Sequence, residues 1–139
     1  MRALLDTCVL IDALQNREPF ADAAKQLLLL AAAGRYTGCI TAKSSTDVYY
    51  LTHRALHDDV LSREVLGKLF MLFSLLDTAG DDCRGALSSP VSDYEDAVMI
   101  RTAVREAVDC IVTRNTHDYR KSSVPVYTPD AFLAILEGN

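Results

Sequence analysis

Residues 3–14 read ALLDTCVLIDAL, and this stretch is the clearest indication of the fold in the chain. Its first three residues are apolar, as in a short buried strand, and Asp6 follows directly at the end of that run. We predict a helical turn from Thr7 to Leu14. The chain therefore passes from a strand into a helix at an aspartate.

The same alternation of strands and helices continues along the sequence. Apolar periodicity, caps and breakers predict helices over residues 20–33, 41–55, 59–73 and 83–88, a helix opened by a Ser92–Glu95 capping box, and a last helix capped by Thr128. Apolar runs predict strands over residues 36–40, 75–79, 110–112 and 124–127. This alternation implies an α/β fold of three layers, in which helices flank both faces of a parallel sheet of four or five strands.

The length and composition suit one domain over residues 1–139, because half of the 139 residues are apolar and can form a full core. The first residues lack the pattern of a signal peptide, and the longest apolar run, residues 27–33, is too short to span a bilayer. The four cysteines are dispersed and show no metal-binding or redox spacing. We expect a cytoplasmic protein with reduced thiols and no membrane contact.

The formal net charge of −5 gives no general attraction for a polyanion, which counts against a nucleic-acid coat protein. An enzyme with local cations remains compatible with this charge. Lys43, Arg54 and Arg114 lie near the acidic segments described next and are candidates for contact with a phosphate backbone.

Acidic residues recur at the edge of the predicted sheet where ligands bind. In parallel sheets that edge lies beyond the carboxyl ends of the strands. Asp6 follows the first strand, and Asp47 lies in the second turn of the helix after the second strand. Asp96 lies in the first turn of a helix that leads into a later strand, which Asn115 and Asp118 follow. Four segments thus bring polar side chains to one edge.

Asp96 is the most informative of these residues because it shares a helical face with Ile100, Ala103 and Ala107. A carboxylate on a buried face is costly unless it is paired or bound to a metal. Converging carboxylates without His or Cys favour Mg²⁺ or Mn²⁺ over zinc. A divalent cation in such a site can activate water and stabilise charge on a phosphate, so the pattern indicates hydrolysis of phosphodiester bonds.

Each of these residues also has a purely structural explanation, and these alternatives stay open at the level of sequence. A role as a helix cap, or as an acid complementing the helix dipole, would explain Asp6, Asp93, Glu95 and Asn115. A solvated or ion-paired surface position would explain Asp47, Asp12 on the exposed side of its helix, and Asp118 beside Arg114 or Arg120.

Several stretches resemble the PIN-domain family. Residues 4–10, LLDTCVL, resemble its opening strand with the first catalytic aspartate, and residues 93–97, DYEDA, resemble its third acidic motif. Residues 111–119, IVTRNTHDY, resemble its closing strand and turn. Residues 126–133, VYTPDAFL, are similar to a common ending in the VapC-like branch, which supplies the toxins of toxin–antitoxin pairs. The resemblance covers almost the whole chain.

The resemblance implies an α/β/α domain, an Mg²⁺- or Mn²⁺-dependent endoribonuclease acting on RNA, a homodimer and a small antitoxin partner. Asp6 matches the first acid of the family and Asp96 the third. Asp47 falls where the family usually has Glu, and the fourth acid is open between Asn115 and Asp118.

The resulting hypothesis has Asp6 and Asp96 as metal ligands, with Asp118 as a further ligand. Asp47 and Asp118 complete the catalytic set by orienting water or supporting a second ion. Supporting or positioning roles fall to Thr113, Asn115 and Asp93. The apolar helix over residues 61–73 would serve a dimer interface as well as the core.

Two other classes of function compete with this reading. The first is a non-catalytic PIN-like module that binds RNA or protein, against which the retention of three acids argues. The second is a phosphate-transferring enzyme with Asp6 as nucleophile, and the absence of an Asp two residues after Asp6 weakens it.

Overall fold

A computed structural model describes residues 1–138 and contains a sheet of five parallel strands, as the sequence predicts. The strands are β1 (Arg2–Leu5), β2 (Thr37–Thr41), β3 (Ser74–Leu76), β4 (Cys110–Val112) and β5 (Val126–Tyr127). Their order in the sheet is β3-β2-β1-β4-β5. The chain therefore reverses its direction of travel across the sheet between β1 and β4, and such a switch point opens a crevice for ligands.

Helices cover both faces of this sheet. They are α1 (Thr7–Leu14), α2 (Ala21–Ala32), α3 (Ala42–Leu56), α4 (Asp59–Leu72), α5 (Gly80–Ala86), α6 (Tyr94–Arg105) and α7 (Pro129–Leu136), with a 3₁₀ helix at Thr116–Tyr119. Helices α1 to α4 and α7 contribute to the core on one face, and α5 and α6 to the core on the other. The predicted three-layer α/β/α fold is therefore confirmed.

The alternation of side chains along β1 explains how the strand serves both cores. Ala3 and Leu5 are buried in the core of the larger helical layer, whereas Leu4 is buried in the core beneath α5 and α6. The backbone N–H of Asp6 then donates to the carbonyl of Val112 at 2.9 Å, which extends the β1–β4 pairing by one residue. Asp6 and Thr113 consequently lie side by side where these two strands end.

Several predicted boundaries agree with the structure because local capping chemistry sets them. The hydroxyl of Thr41 accepts from the backbone N–H of Ser44 at 3.0 Å and caps α3, and that of Thr128 accepts from Ala131 N–H at 3.2 Å and caps α7. Gly34 ends the α2 segment with a φ of +70°, a conformation that glycine adopts without strain.

The predicted Ser92–Glu95 capping box is wrong by one residue. Asp93 is the N-cap of α6, and its carboxylate accepts from the backbone N–H of Asp96 at 3.0 Å. The Glu95 carboxylate points instead to Lys43, 2.8 Å away. An aspartate caps as well as a serine does, so Asp93 competed with its neighbour for the same role.

Two further expectations need correction. Asp12 is not exposed but only 1% accessible, because it pairs with Arg114. The short helix α5 begins at Gly80 rather than near Cys83, because the Asp82 carboxylate accepts from the Ala79 N–H at 2.9 Å at its first turn. Within residues 1–138, no helix combines the length and apolar character that crossing a membrane requires.

Candidate active site

An open cleft of about 320 Å³ lies at the carboxyl edge of the sheet, beside the switch point between β1 and β4. Its walls come from the start of α1, the start of α6, the segment after β4 and one turn of α3. The lining includes the acids Asp6, Asp93, Glu95, Asp96 and Asp118, with Asn115 and Arg17. Five of the predicted site residues therefore share one cleft, namely Asp6, Asp93, Asp96, Asn115 and Asp118.

Asp6 is held at the floor of this cleft and is only 8% accessible. It occupies the N-cap position of α1, yet its side chain makes no capping hydrogen bond. Its Oδ2 accepts instead from the Thr113 hydroxyl at 2.7 Å and from the Cys8 thiol at 3.6 Å. Burial raises the pKa of Asp6 above its ordinary value of 3.8, these two hydrogen bonds oppose the rise, and the charge of Glu95 adds to it.

Asp96 faces the same cleft from the first turn of α6 and is half-buried. Burial raises the pKa of this carboxyl to about 6, and the charges of Asp93, Asp6 and Asp118 contribute to the rise. A hydrogen bond from the Tyr119 hydroxyl opposes it. The cleft thus places several carboxylates near one another, and their negative charges repel.

Tyr119 connects the two principal acids and was not assigned a role from the sequence. Its side chain is 1% accessible, and its hydroxyl donates to Asp6 Oδ2 at 3.5 Å and to the sulfur of Met99 at 3.3 Å. The same hydroxyl lowers the pKa of Asp96, so Tyr119 acts on both principal acids. An aromatic residue at the carboxyl edge, directly after Asp118, is the only signal that the sequence offered for it.

Asp47 does not line the cleft. Its carboxylate lies 2.6 Å from the Lys43 ammonium, one turn earlier on α3, and the same ammonium contacts Glu95 at 2.8 Å. Burial alone would lower the pKa of Lys43, but the two carboxylates raise it. Lys43 and Asp47 therefore form an ionic network at the side of the cleft, and Glu95 joins that network to the cleft wall.

The two predicted RNA-binding arginines occupy different environments. Arg54 is exposed in the last turn of α3, in a depression that shares Arg17 and Leu51 with the cleft. Arg114 instead forms a two-point ion pair with the buried Asp12, at 2.7 and 3.3 Å, and its guanidinium lies 4.5 Å from the ring centre of Phe20. The charge of Arg114 is thus engaged within the protein.

The donor set of the cleft fits a hard divalent cation. Asp6 and Asp96 present oxygen ligands at raised pKa values, which an added positive charge would lower. Within residues 1–138, no three His, Cys, Asp or Glu side chains lie close enough to form a complete metal site. Mg²⁺ commonly retains several waters and uses only one or two carboxylates, so this pair is a sufficient protein contribution.

Comparison with known proteins places the chain among relatives of one fold. A family model described as PIN domain matches residues 2–117. No curated protein matches the sequence at a significant level.

Among solved structures, a chain of a toxin–antitoxin complex from Klebsiella pneumoniae is 27% identical, with a TM-score of 0.66 over 91% of this chain and 97% of that one. A chain of VapBC2 from Rickettsia felis, bound to a DNA fragment from its promoter, is 17% identical, with a TM-score of 0.67 over 92% and 98%. A chain of DNA-bound VapBC from Salmonella typhimurium is 16% identical, with a TM-score of 0.68 over 93% and 98%. The similarity therefore extends over nearly the full length of each of these chains.

Proposed function

Because the chain belongs to the PIN-domain family, we propose that it is an endoribonuclease dependent on Mg²⁺ or Mn²⁺ and that it acts as the toxin of a toxin–antitoxin pair. The observation that carries this proposal is the pair Asp6 and Asp96 in one cleft. Both carboxyls line the cleft and have raised pKa values, and Asp6 accepts from the hydroxyls of Thr113 and Tyr119.

A pair of desolvated carboxylates costs stability, and among residues 1–138 the one cation that lines the cleft is the exposed Arg17. Lys43 is committed to Asp47 and Glu95, and Arg114 is committed to Asp12. A bound divalent cation would supply the missing charge, polarise a phosphate oxygen and lower the pKa of a bound water. Hydrolysis of a phosphodiester bond is the reaction that this combination favours.

Residues of the cleft would hold the cation and orient the reacting groups. Asp6 at the start of α1 and Asp96 at the start of α6 would hold the cation, and Thr113 fixes the orientation of Asp6 through its 2.7 Å hydrogen bond. Asp118 and Asn115 lie on the rim, where they can orient water or an RNA oxygen. Asp93 holds Asp96 at the start of α6 through the capping bond.

Asp47 takes an indirect part in this proposal. It fixes Lys43, and Lys43 in turn holds Glu95 at the wall of the cleft. Arg54 is exposed beside the cleft and is the stronger of the two predicted arginines for contact with the RNA backbone, since Arg114 is already paired.

The proposed partners follow from the complex in which a relative occurs and from the surface of α4. The Klebsiella pneumoniae relative is part of a toxin–antitoxin complex, which supports an antitoxin partner for this chain. The α4 helix exposes four large apolar side chains, which supports burial against a second copy: Val60, Leu61, Phe70 and Met71. Sedimentation of the purified chain, with and without a co-expressed antitoxin, tests both partners.

Cleavage assays with the purified protein test the enzymatic proposal. We expect fluorescent RNA to be cut in Mg²⁺ or Mn²⁺, and cutting to stop with EDTA, with Asp6→Asn and with Asp96→Asn. Asp22→Asn is the matched control, because Asp22 is an exposed acid in the first turn of α2, away from the cleft.

Cleavage that persists in EDTA and in both cleft variants would contradict the metal-nuclease proposal. Complete inactivity of the wild-type protein on varied RNAs would instead support a non-catalytic binding module. Thermal unfolding in Mn²⁺ would then show whether an inactive protein still binds metal.

A further inference from the structure

A second cavity of about 500 Å³ lies between α5, α6 and the segment before β5, outside the acidic cleft. Its volume falls in the range of roughly 300–1,000 Å³ that is typical of small-ligand sites. The floor is apolar and consists of Val91, Ala97 and Ile100, with Val104 at the rim. Serines 88, 89 and 123 lie at its margin.

The charges around this cavity are unevenly compensated. Its two acids are neutralised within the protein, Asp81 by Arg84 at 2.6 Å and Asp82 by Arg105 at 3.0 Å. Two further cations line the cavity, Arg101 and Lys121, and neither has an ion-pair partner within the described residues 1–138. The cavity therefore presents positive charge above an apolar floor, in a chain whose net charge is −5.

The absence of a side chain at Gly85 lets the exposed side chain of Arg101 lie close against α5. A Cβ atom at position 85 would lie 2.3 Å from the Cζ and Nη2 atoms of Arg101, which is far inside van der Waals contact. The guanidinium thus lies against the backbone of α5. Any larger residue at this position would displace it.

A smaller pocket lies next to both the cavity and the acidic cleft. This pocket shares Pro90, Val91 and Lys121 with the cavity, and it shares Asp118 with the cleft. Arg120 and His117 also line it. Arg120 and Lys121 therefore line a pocket that adjoins both the proposed cleavage site and the cavity that holds Arg101.

We propose that this cavity binds one nucleotide of the single-stranded RNA substrate, away from the scissile bond, with its phosphate on Arg101 and Lys121 and its base on the apolar floor. The choice of RNA rests on the proposed function of the cleft and on the basic pocket that adjoins both sites. Phosphate binds guanidinium and ammonium groups, and an aliphatic floor accepts the face of a base.

Binding of a fluorescein-labelled RNA of about twelve nucleotides, followed by anisotropy in EDTA to prevent cleavage, tests the proposal. We expect Arg101→Ala to weaken binding about tenfold. The slope of log Kd against log salt should fall by about 0.7, as for one lost phosphate contact on a single strand. Lys121→Ala should act in the same direction.

Gly85→Ala provides a sharper test because it keeps the positive charge of Arg101 and only displaces the guanidinium. Alanine also suits a helix better than glycine, so the fold should tolerate the change. We expect binding to weaken about three- to tenfold while the salt slope changes less than in Arg101→Ala. Lys68→Ala is the matched control, since Lys68 is an exposed cation on α4, across the sheet, and it should leave binding unchanged.

Equal effects of Lys68→Ala and Arg101→Ala would overturn the proposal, because they would indicate general electrostatic attraction. Unchanged RNA binding in Arg101→Ala and Lys121→Ala, with weaker binding of polyglutamate, would overturn it in favour of an acidic protein partner. The expected binding losses in a protein that never cleaves RNA would sustain the cavity and remove the nuclease proposal. Cleavage of RNA by the wild-type protein, with unchanged affinity in Arg101→Ala and Lys121→Ala, would support the nuclease proposal and overturn the cavity proposal.

Discussion

Replacing Asp96 with Asn should stabilise the metal-free protein at neutral pH. Burial and three neighbouring acids raise the pKa of Asp96 from 3.8 to about 6, so the fold opposes the charged form. Each tenfold change in the proton dissociation constant corresponds to about 1.4 kcal/mol, which places the full cost of the charge near 3 kcal/mol. The carboxyl is only half-buried, and solvent screening reduces this figure to about 1–2 kcal/mol.

The sign of the pH dependence follows from the same values. Below about pH 4 the carboxyl is protonated in the folded and unfolded protein alike, and the variant should gain little. Between pH 4 and pH 6 the unfolded chain releases its proton first, so the wild-type protein loses stability relative to Asp96→Asn. The gain of the variant should be complete above pH 6.

Urea unfolding in EDTA at several pH values measures this difference, with Asp22→Asn as the exposed-acid control. A gain of 1–2 kcal/mol corresponds to a rise in Tm of about 3–8 °C for a chain of this size. Equal or lower stability of Asp96→Asn at pH 7, or a gain that does not depend on pH, would refute the reasoning.

Added metal should reverse the order of stability. Mg²⁺ at about one hundred times its dissociation constant would stabilise the wild-type protein by about 2.7 kcal/mol, and it would stabilise Asp96→Asn little. If the variant remains the more stable protein at saturating Mg²⁺ and Mn²⁺, Asp96 is not a ligand.

Three other substitutions test the surroundings of the site. Arg114→Ala should destabilise the protein by about 3–5 kcal/mol in urea unfolding, because it leaves Asp12 buried without its partner; a loss below about 1 kcal/mol would contradict this. Thr113→Val removes the 2.7 Å hydrogen bond that lowers the pKa of Asp6, so the acid limb of the pH profile of kcat/KM should move to higher pH. An unmoved limb would argue that Thr113 does not set the pKa of Asp6. Tyr119→Phe removes a group that lowers the pKa of Asp96, so that pKa should rise and binding of Mn²⁺ at pH 6 should weaken. Metal titrations identical to wild type at that pH would count against this role of Tyr119.

The fold and the placement of Asp6 and Asp96 could be predicted because both depend on local pattern. An apolar run that ends at Asp6 marks the end of β1, and the helical face shared with Ile100 and Ala103 places Asp96 toward the sheet. Parallel strands bring their carboxyl ends to one edge, so these two local signals were enough to bring the acids together.

The side-chain partners could not be predicted in the same way. Arg114 and Asp12 are 102 residues apart, and nothing in the local pattern of α1 distinguishes a buried acid from a solvated one. The Lys43–Asp47 pair has the ordinary spacing of a surface ion pair, so its contact with Glu95 depends on how α3 and α6 pack. The wrong N-cap of α6 has a local cause, since Ser92 and Asp93 are adjacent and both residue types cap helices.

The net charge illustrates why such pairings matter for function. A chain of −5 should repel RNA, yet the pairings decide which charges an approaching strand meets. Asp12 and Asp82 are neutralised inside the protein by arginines, whereas Arg101 and Lys121 have no ion-pair partner among the described residues and line the cavity. Four acids that form no ion pair line the cleft, Asp6, Asp93, Asp96 and Asp118, and a divalent cation bound there would invert their effect on a phosphate. Under the proposed function, attraction of RNA depends on the local charges of the cavity and on bound metal, so we expect affinity to respond to Arg101→Ala and Mg²⁺ more than to changes in total charge.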